Sequence, residues 1–161
     1  MAIDTSGVWI IVPAFNEAQV IDDVVADLRS VFAHVVVVDD GSRDDTAGVA
    51  LRAGAHMVPH PVNLGQGAAI QTGVEYARRQ PGAELFATFD ADGQHRVADV
   101  LAMLDRISRD DADIVIGTRF TGSTVARTPP LKRFILRAAA FLSPSGRRLG
   151  LTDSHNGLRV F

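Results

Sequence analysis

Apolar residues fall in short unbroken runs, separated by segments with helical spacing, and polar clusters mark the junctions. Val8–Val12 (V-W-I-I-V), Val35–Val38 and Leu85–Phe89 have the pattern of strands covered on both faces. His56–Pro61 reads as a weaker strand and Asp113–Gly117 as a fifth. Pro13 is expected to stop the first strand, since it has no N–H for a ladder. Ile21, Val24, Val25, Leu28, Val31 and Phe32 recur at helical spacing, which predicts a helix from about Glu17 to Phe32 with Asn16 as its cap. Ser42-Arg43-Asp44-Asp45 has the form of a capping box opening a helix to about Ala53. Further helices are expected over about Ala68–Gln80, closed by Pro81-Gly82, and over about Val97–Arg109. Strand and helix alternate, which predicts an α/β fold: a mainly parallel central sheet with right-handed crossovers and helices on both faces.

Composition narrows the class. With 161 residues, 47% of them hydrophobic, the chain is sized for one domain with a real core. A net charge of −3 leaves no excess of Lys and Arg to neutralise a phosphate backbone, so nucleic acid is not an expected partner. There is no cysteine, hence no disulfide framework and no thiolate metal site, which fits a reducing compartment. The start, Met-Ala-Ile-Asp-Thr-Ser, lacks a basic segment, and Pro13 and Asn16 break its apolar run too early for a signal peptide. No apolar stretch approaches the length needed to span a bilayer, so the chain is expected to be soluble or peripheral.

The strongest chemical signal lies at Leu85–Val97, L-F-A-T-F-D-A-D-G-Q-H-R-V, where an apolar run ends in two carboxylates. In extended backbone, residues i and i+2 point the same way, so Asp90 and Asp92 can converge on one point. Like charges so placed call for a cation, and Mg²⁺ or Mn²⁺ suits oxygen ligands; Gln94 could add a third, with Gly93 permitting the turn. The alternative is a polar turn that caps the strand. Position argues for a site. Ligands of open α/β sheets bind outside the carboxyl ends of the strands, near the point where strand order reverses. Pro13-Ala14-Phe15-Asn16-Glu17, Asp39-Asp40-Gly41-Ser42, Asn63–Gly67 and Asp90–His95 each follow a predicted strand, so all four clusters are expected on one rim.

Taken in order, P-A-F-N-E, V-V-D-D-G-S-R-D-D-T, N-L-G-Q-G-A-A, D-A-D-G-Q-H and I-G-T-R-F resemble the motifs of the family-two, type A glycosyltransferases. The likeness is greatest to the polyprenyl-phosphate sugar synthases of the dolichol-phosphate mannose synthase kind, and it runs from about Val8 to the last residue. It implies the type A fold, a Rossmann-like nucleotide-sugar-binding architecture. It also implies a donor site of Pro13, Asn16, Glu17, Asp40, Gly67, Asp90, Ala91 and Asp92, and a Mg²⁺ or Mn²⁺ site of Asp90, Asp92 and Gln94. Ionised Asp40 would accept hydrogen bonds from the base or ribose; turn chemistry is the competing role for it and for Asp39, which stays open. Asp92, Gln94 and Arg119 are then the expected catalytic residues, and Arg119 and Arg133 the phosphate contacts of the acceptor.

Thr118–Pro130 is polar and is expected to form a mobile loop over the donor. Leu131–Leu142, L-K-R-F-I-L-R-A-A-A-F-L, reads as a helix with one basic side, which by resemblance lies at a membrane surface. The last segment, T-D-S-H-N-G-L-R-V-F, matches the family's D-x-x-x-G-[FL]-R-x-F with Asp153, Gly157 and Arg159, and leaves His155 without a role. Transferases that attack with a sugar hydroxyl commonly carry an E-D pair hereabouts as base, and none follows Asp113. An ionised phosphate needs only positioning, so a polyprenyl phosphate acceptor is favoured.

The resemblance implies an inverting transfer of sugar from a GDP- or UDP-linked donor to polyprenyl phosphate, in glycolipid or cell-wall synthesis, by a protein peripheral at the cytoplasmic membrane face. A hydroxyl-directed type A transferase and a silent nucleotide-binding module are the alternatives. The family continues past the point where this sequence ends, so residues 1–161 are expected to be a catalytic domain lacking its C-terminal part.

Overall fold

The computed structural model describes residues 4–92, 95–110, 112–117 and 158–161. The order of elements is β1 (Val8–Ala14), α1 (Ile21–Arg29), β2 (His34–Asp39), α2 (Thr46–Arg52), β3 (His56–Pro59), α3 (Gln66–Ala77), β4 (Leu85–Thr88), α4 (Val97–Asp110), β5 (Val115–Ile116) and β6 (Arg159–Val160). They build a six-stranded sheet in the order β3-β2-β1-β4-β6-β5. The pairs β1–β2, β1–β4 and β2–β3 are parallel, and β4–β6 is antiparallel, with Ala87 opposite Val160 and Thr88 opposite Arg159. The α/β class and the mainly parallel sheet are as expected. Strand order reverses between β1 and β4.

Alternate residues of the buried strands feed two cores. On one face Val8, Ile10, Val12, Val35 and Val37 pack with Ile21, Val25, Leu28 and Phe32 from the α1 side and with Val100 and Leu104 of α4. On the other, Trp9, Ile11, Val36 and Val38 pack with Ala69 and Ala77 of α3. Because α3 lies so near the sheet, a Cβ on Gly73 would stand 2.5 Å from Ile11 Cγ2.

Three local expectations are corrected. Pro13 does not stop β1; the strand continues to Ala14, in register with Asp39. Ile11 O accepts the Phe89 amide, so Ile11, and with it Pro13, turns its backbone toward β4; that ladder ends at Ile11 opposite Thr88, and the missing N–H of Pro13 costs nothing. Asn16 does not cap a helix, since α1 begins at Ile21 after a turn in which the Val20 and Ile21 amides both bond Glu17 O. Nor is Ser42 a cap for α2: that helix starts at Thr46, and the Ser42 hydroxyl is taken by the Asn16 amide.

The chain divides into two compact units, Met1–Val115 with Leu158–Phe161, and Ile116–Gly157. The loop expected over residues 118–130 and the helix expected over 131–142 lie outside the described residues.

Candidate active site

The four polar clusters stand on one rim and are joined in pairs. In the parallel register Ala14 lies beside Asp39 and Asp39 beside Pro59, so the loops leaving β1, β2 and β3 start level with one another. The loop after β1 is fastened to the loop after β2: the Asn16 amide donates to Ser42 Oγ (2.9 Å), the Arg43 amide to Asn16 Oδ1 (2.8 Å) and the Glu17 amide to Thr46 Oγ1 (2.9 Å). Asn16 adopts φ 57°, a left-handed backbone that asparagine tolerates better than most residues. Phe15, between these loops and the strand, is left 42% exposed.

The loop after β2 is fastened in turn to the loop after β3. Asp40, 3% exposed, accepts the Leu64 amide at Oδ1 (2.9 Å) and the Gly65 amide at Oδ2 (2.7 Å), and its Oδ1 meets His60 Nδ1 at 2.8 Å. The other ring nitrogen of His60 lies 2.9 Å from Thr72 Oγ1 on α3. Burial pushes the Asp40 carboxyl up, but the bonds from Leu64, His60 and Gly65, with the charge of His60, outweigh it and hold the group below its ordinary range. Asp39 takes the turn role, its Oδ1 accepting the Ser42 amide at 3.1 Å. Gly65 precedes α3 at φ 91°. Gly67, in the first turn, has open space where a Cβ would stand, so nothing within 4 Å accounts for the glycine.

The loop after β3 reaches β4 through one side chain. Gln66 Nε2 donates to Asp90 Oδ1 at 2.8 Å, while His95 Nε2 lies 3.1 Å from Asp90 Oδ2. Ala91 is buried in the core beneath the pair, and Asp92 is exposed. Glu17 is the third carboxyl here: burial, then the charges of Asp92 and Asp44, push it above its ordinary range. Negative charge therefore accumulates at the point where strand order reverses. An all-oxygen pair of carboxylates in such a field fits Mg²⁺ or Mn²⁺. Among the described residues no group of three or more His, Cys, Asp or Glu side chains forms a cage.

Of the residues expected in the site, Pro13, Asn16, Glu17, Asp40, Gly67, Asp90, Ala91 and Asp92 lie along this rim. Gly93, Gln94, Arg119, Arg133, Asp153, His155 and Gly157 lie outside the described residues. The structure adds Gln66, His60 and His95 to this rim: none has metal-ligand spacing in the sequence, and each meets an aspartate that the fold brings near. One signal was available. His60 follows β3 as Asp40 follows β2, and parallel pairing in register makes such residues lateral neighbours.

The profile of Glycosyl transferase family 2 matches residues 9–159. A UDP-N-acetylglucosamine–dolichyl-phosphate N-acetylglucosaminyltransferase of Methanococcus voltae is 29% identical over 173 residues, covering 96% of this chain and 68% of its own length. A polyprenol monophosphomannose synthase of Mycolicibacterium smegmatis is 28% identical over 166 residues, covering 98% of this chain and 62% of its own. Among solved structures, glucosyl-3-phosphoglycerate synthase of Mycobacterium tuberculosis, in complex with Mn²⁺, UDP and glucosyl-3-phosphoglycerate, is similar with a TM-score of 0.72 at 20% identity. That match covers 96% of this chain and 56% of the other. The chain thus spans between 56% and 68% of the length of these three proteins. The structural likeness is one of fold, the type A glycosyltransferase fold that the motifs imply. Profile and fold agree over nearly the whole sequence, and the chain belongs to glycosyl transferase family 2.

Proposed function

We propose that this chain carries the donor site of a sugar transferase that moves a hexosyl or N-acetylhexosaminyl group from a nucleotide diphosphate sugar to polyprenyl phosphate, with inversion. The observation that carries the reading is the acidic pair Asp90 and Asp92 at the β1/β4 switch point, with Gln66 linking it to the loop that opens α3. Relatives named for dolichyl and polyprenol phosphates support the acceptor class, and the absence of an E-D pair after Asp113 points the same way.

Each residue has a role that its chemistry allows. Asp90 and Asp92, with Gln94, would hold Mg²⁺ or Mn²⁺; when bound, the cation supplies positive charge to the departing nucleotide diphosphate. Exposed Phe15 offers a ring face to the base, and Pro13, Asn16 and Glu17 form the wall beside it. Asn63–Gly67 form the floor, held from beneath by buried Asp40, whose three protein bonds fix the loop at Leu64 and Gly65. The open space at Gly67 keeps the first turn of α3 accessible to a phosphate, where helix amides favour negative charge. Arg119 and Arg133 would position the ionised acceptor phosphate, whose oxygen attacks the anomeric carbon as the bond to the diphosphate breaks. No proton need be removed in that step. The lipid acceptor brings the protein to the cytoplasmic face of a membrane; among the described residues no helix is long and apolar enough to cross one.

The test is thermal stabilisation by UDP- and GDP-sugars with and without Mn²⁺, followed by transfer of labelled sugar to a short polyprenyl phosphate. Stabilisation that needs Mn²⁺ and is lost in Asp92→Ala, with label in the lipid, is the expected result. Label in a saccharide but not in lipid phosphate would move the chain to the hydroxyl-directed transferases. Nucleotide binding with no turnover would make it a silent module.

A further inference from the structure

Asp40 and His60 form a buried hydrogen-bonded pair, their side chains 4% and 8% exposed, and the pair is tied to more of the chain than a local turn requires. A buried polar pair contributes little net stability, because desolvation offsets the bond, but it can select one arrangement over its competitors. What this one selects is the position of α3. Asp40 grips the Leu64 and Gly65 amides just ahead of the helix, and His60 grips Thr72 within it. Gly65 and Thr72 are seven residues apart, which is about 10 Å along the axis. Two anchors at that separation fix both the start of the helix and its direction. The first residue of α3 is Gln66, whose amide meets Asp90 Oδ1.

We propose that the Asp40–His60 pair is a positioning device: by anchoring α3 at Gly65 and Thr72 it holds Gln66 against Asp90 and so sets the orientation in which Asp90 meets its cation. The inference rests on the metal role given above to Asp90. In this role Gln66 acts through the Asp90 carboxylate, and His60 through its hold on α3. Groups of this kind behind a metal ligand typically matter by 10- to 100-fold in metal affinity.

The experiment measures Mn²⁺ affinity by electron paramagnetic resonance, in the presence of UDP or GDP, for wild type, Gln66→Leu, His60→Leu and the double variant, with melting temperatures alongside. Gln66→Leu is expected to weaken Mn²⁺ binding about 10-fold. His60→Leu should do the same, although its side chain ends on Asp40 and Thr72 and not on Asp90. The double variant should bind Mn²⁺ no worse than the weaker single, because both changes act on one carboxylate. If His60→Leu fails to fold, Thr72→Val removes the same anchor with little change of shape and should weaken Mn²⁺ binding in the same direction. A merely structural pair would lower the melting temperature and leave Mn²⁺ affinity unchanged, which would overturn the inference alone. A wild-type protein that binds no Mn²⁺ would overturn the functional reading as well.

Discussion

The Arg43 amide donates to Asn16 Oδ1 at 2.8 Å, and Asn16 holds φ 57° to accept it. This contact closes the loop after β1 onto the loop after β2 and so shapes one wall of the donor site. An alanine there would lose the bond and keep the left-handed backbone at a cost of about 1–2 kcal/mol. Glycine would lose the bond but not the conformational ease. Urea denaturation should therefore find Asn16→Ala destabilised by about 2–3 kcal/mol and Asn16→Gly by about 1 kcal/mol. Equal losses would mean that the backbone conformation carries no cost.

The same contact marks where sequence reading stops. Strand and helix identities follow from one-dimensional periodicity, and Val8–Val12 and Val35–Val38 were readable because runs buried on both faces admit few alternatives. Asn16 and Ser42 were read as helix caps because a cap is the local use of a short polar side chain. Their actual partners are each other's loops, 26 residues apart in sequence. Only strand register reveals that, and register depends on tertiary packing. Pro13 illustrates the same limit: its effect on β1 depends on where β4 ends. Asp90 and Asp92 were legible as a candidate pair because two carboxylates follow an apolar strand, a pattern that a metal site and a polar turn share. The support from Gln66 was not, since an amide in a glycine-containing loop has no signature of its own.

His56 provides a pH test at the opposite rim, where β3 begins. Its ring lies 5.0 Å from that of Trp9 and its Nδ1 is 3.2 Å from the Tyr76 hydroxyl. Burial, then the charges of His34 and Arg29, depress its pKa below the ordinary 6.5. A histidine that resists protonation when folded contributes stability that is complete above 6.5 and is lost as pH falls from there through the folded-state value. Unfolding free energy measured from pH 8 downward should fall more steeply below this point in wild type than in His56→Gln. Parallel curves would assign the acid sensitivity to other groups.

Gly67 and Gly73 lie on the same helix, and one substitution should act on them with opposite signs. Replacing a helical glycine by alanine gains about 0.5–1 kcal/mol from backbone entropy when the new methyl meets nothing. At Gly67 the Cβ has open space, so Gly67→Ala should raise the melting temperature. At Gly73 the Cβ would stand 2.5 Å from Ile11 Cγ2 and 3.2 Å from Val38 Cγ2, both on the packed face of the sheet. There the helix must shift outward, and overpacking of about 1–3 kcal/mol exceeds the entropic gain. Function should divide them the other way. Because the fold does not need a glycine at 67, its presence is best accounted for by a ligand approaching the first turn of α3. Gly67→Ala should then weaken nucleotide binding in calorimetric titrations despite the more stable fold. Gly67→Ala with unchanged nucleotide affinity would remove that turn from the donor site.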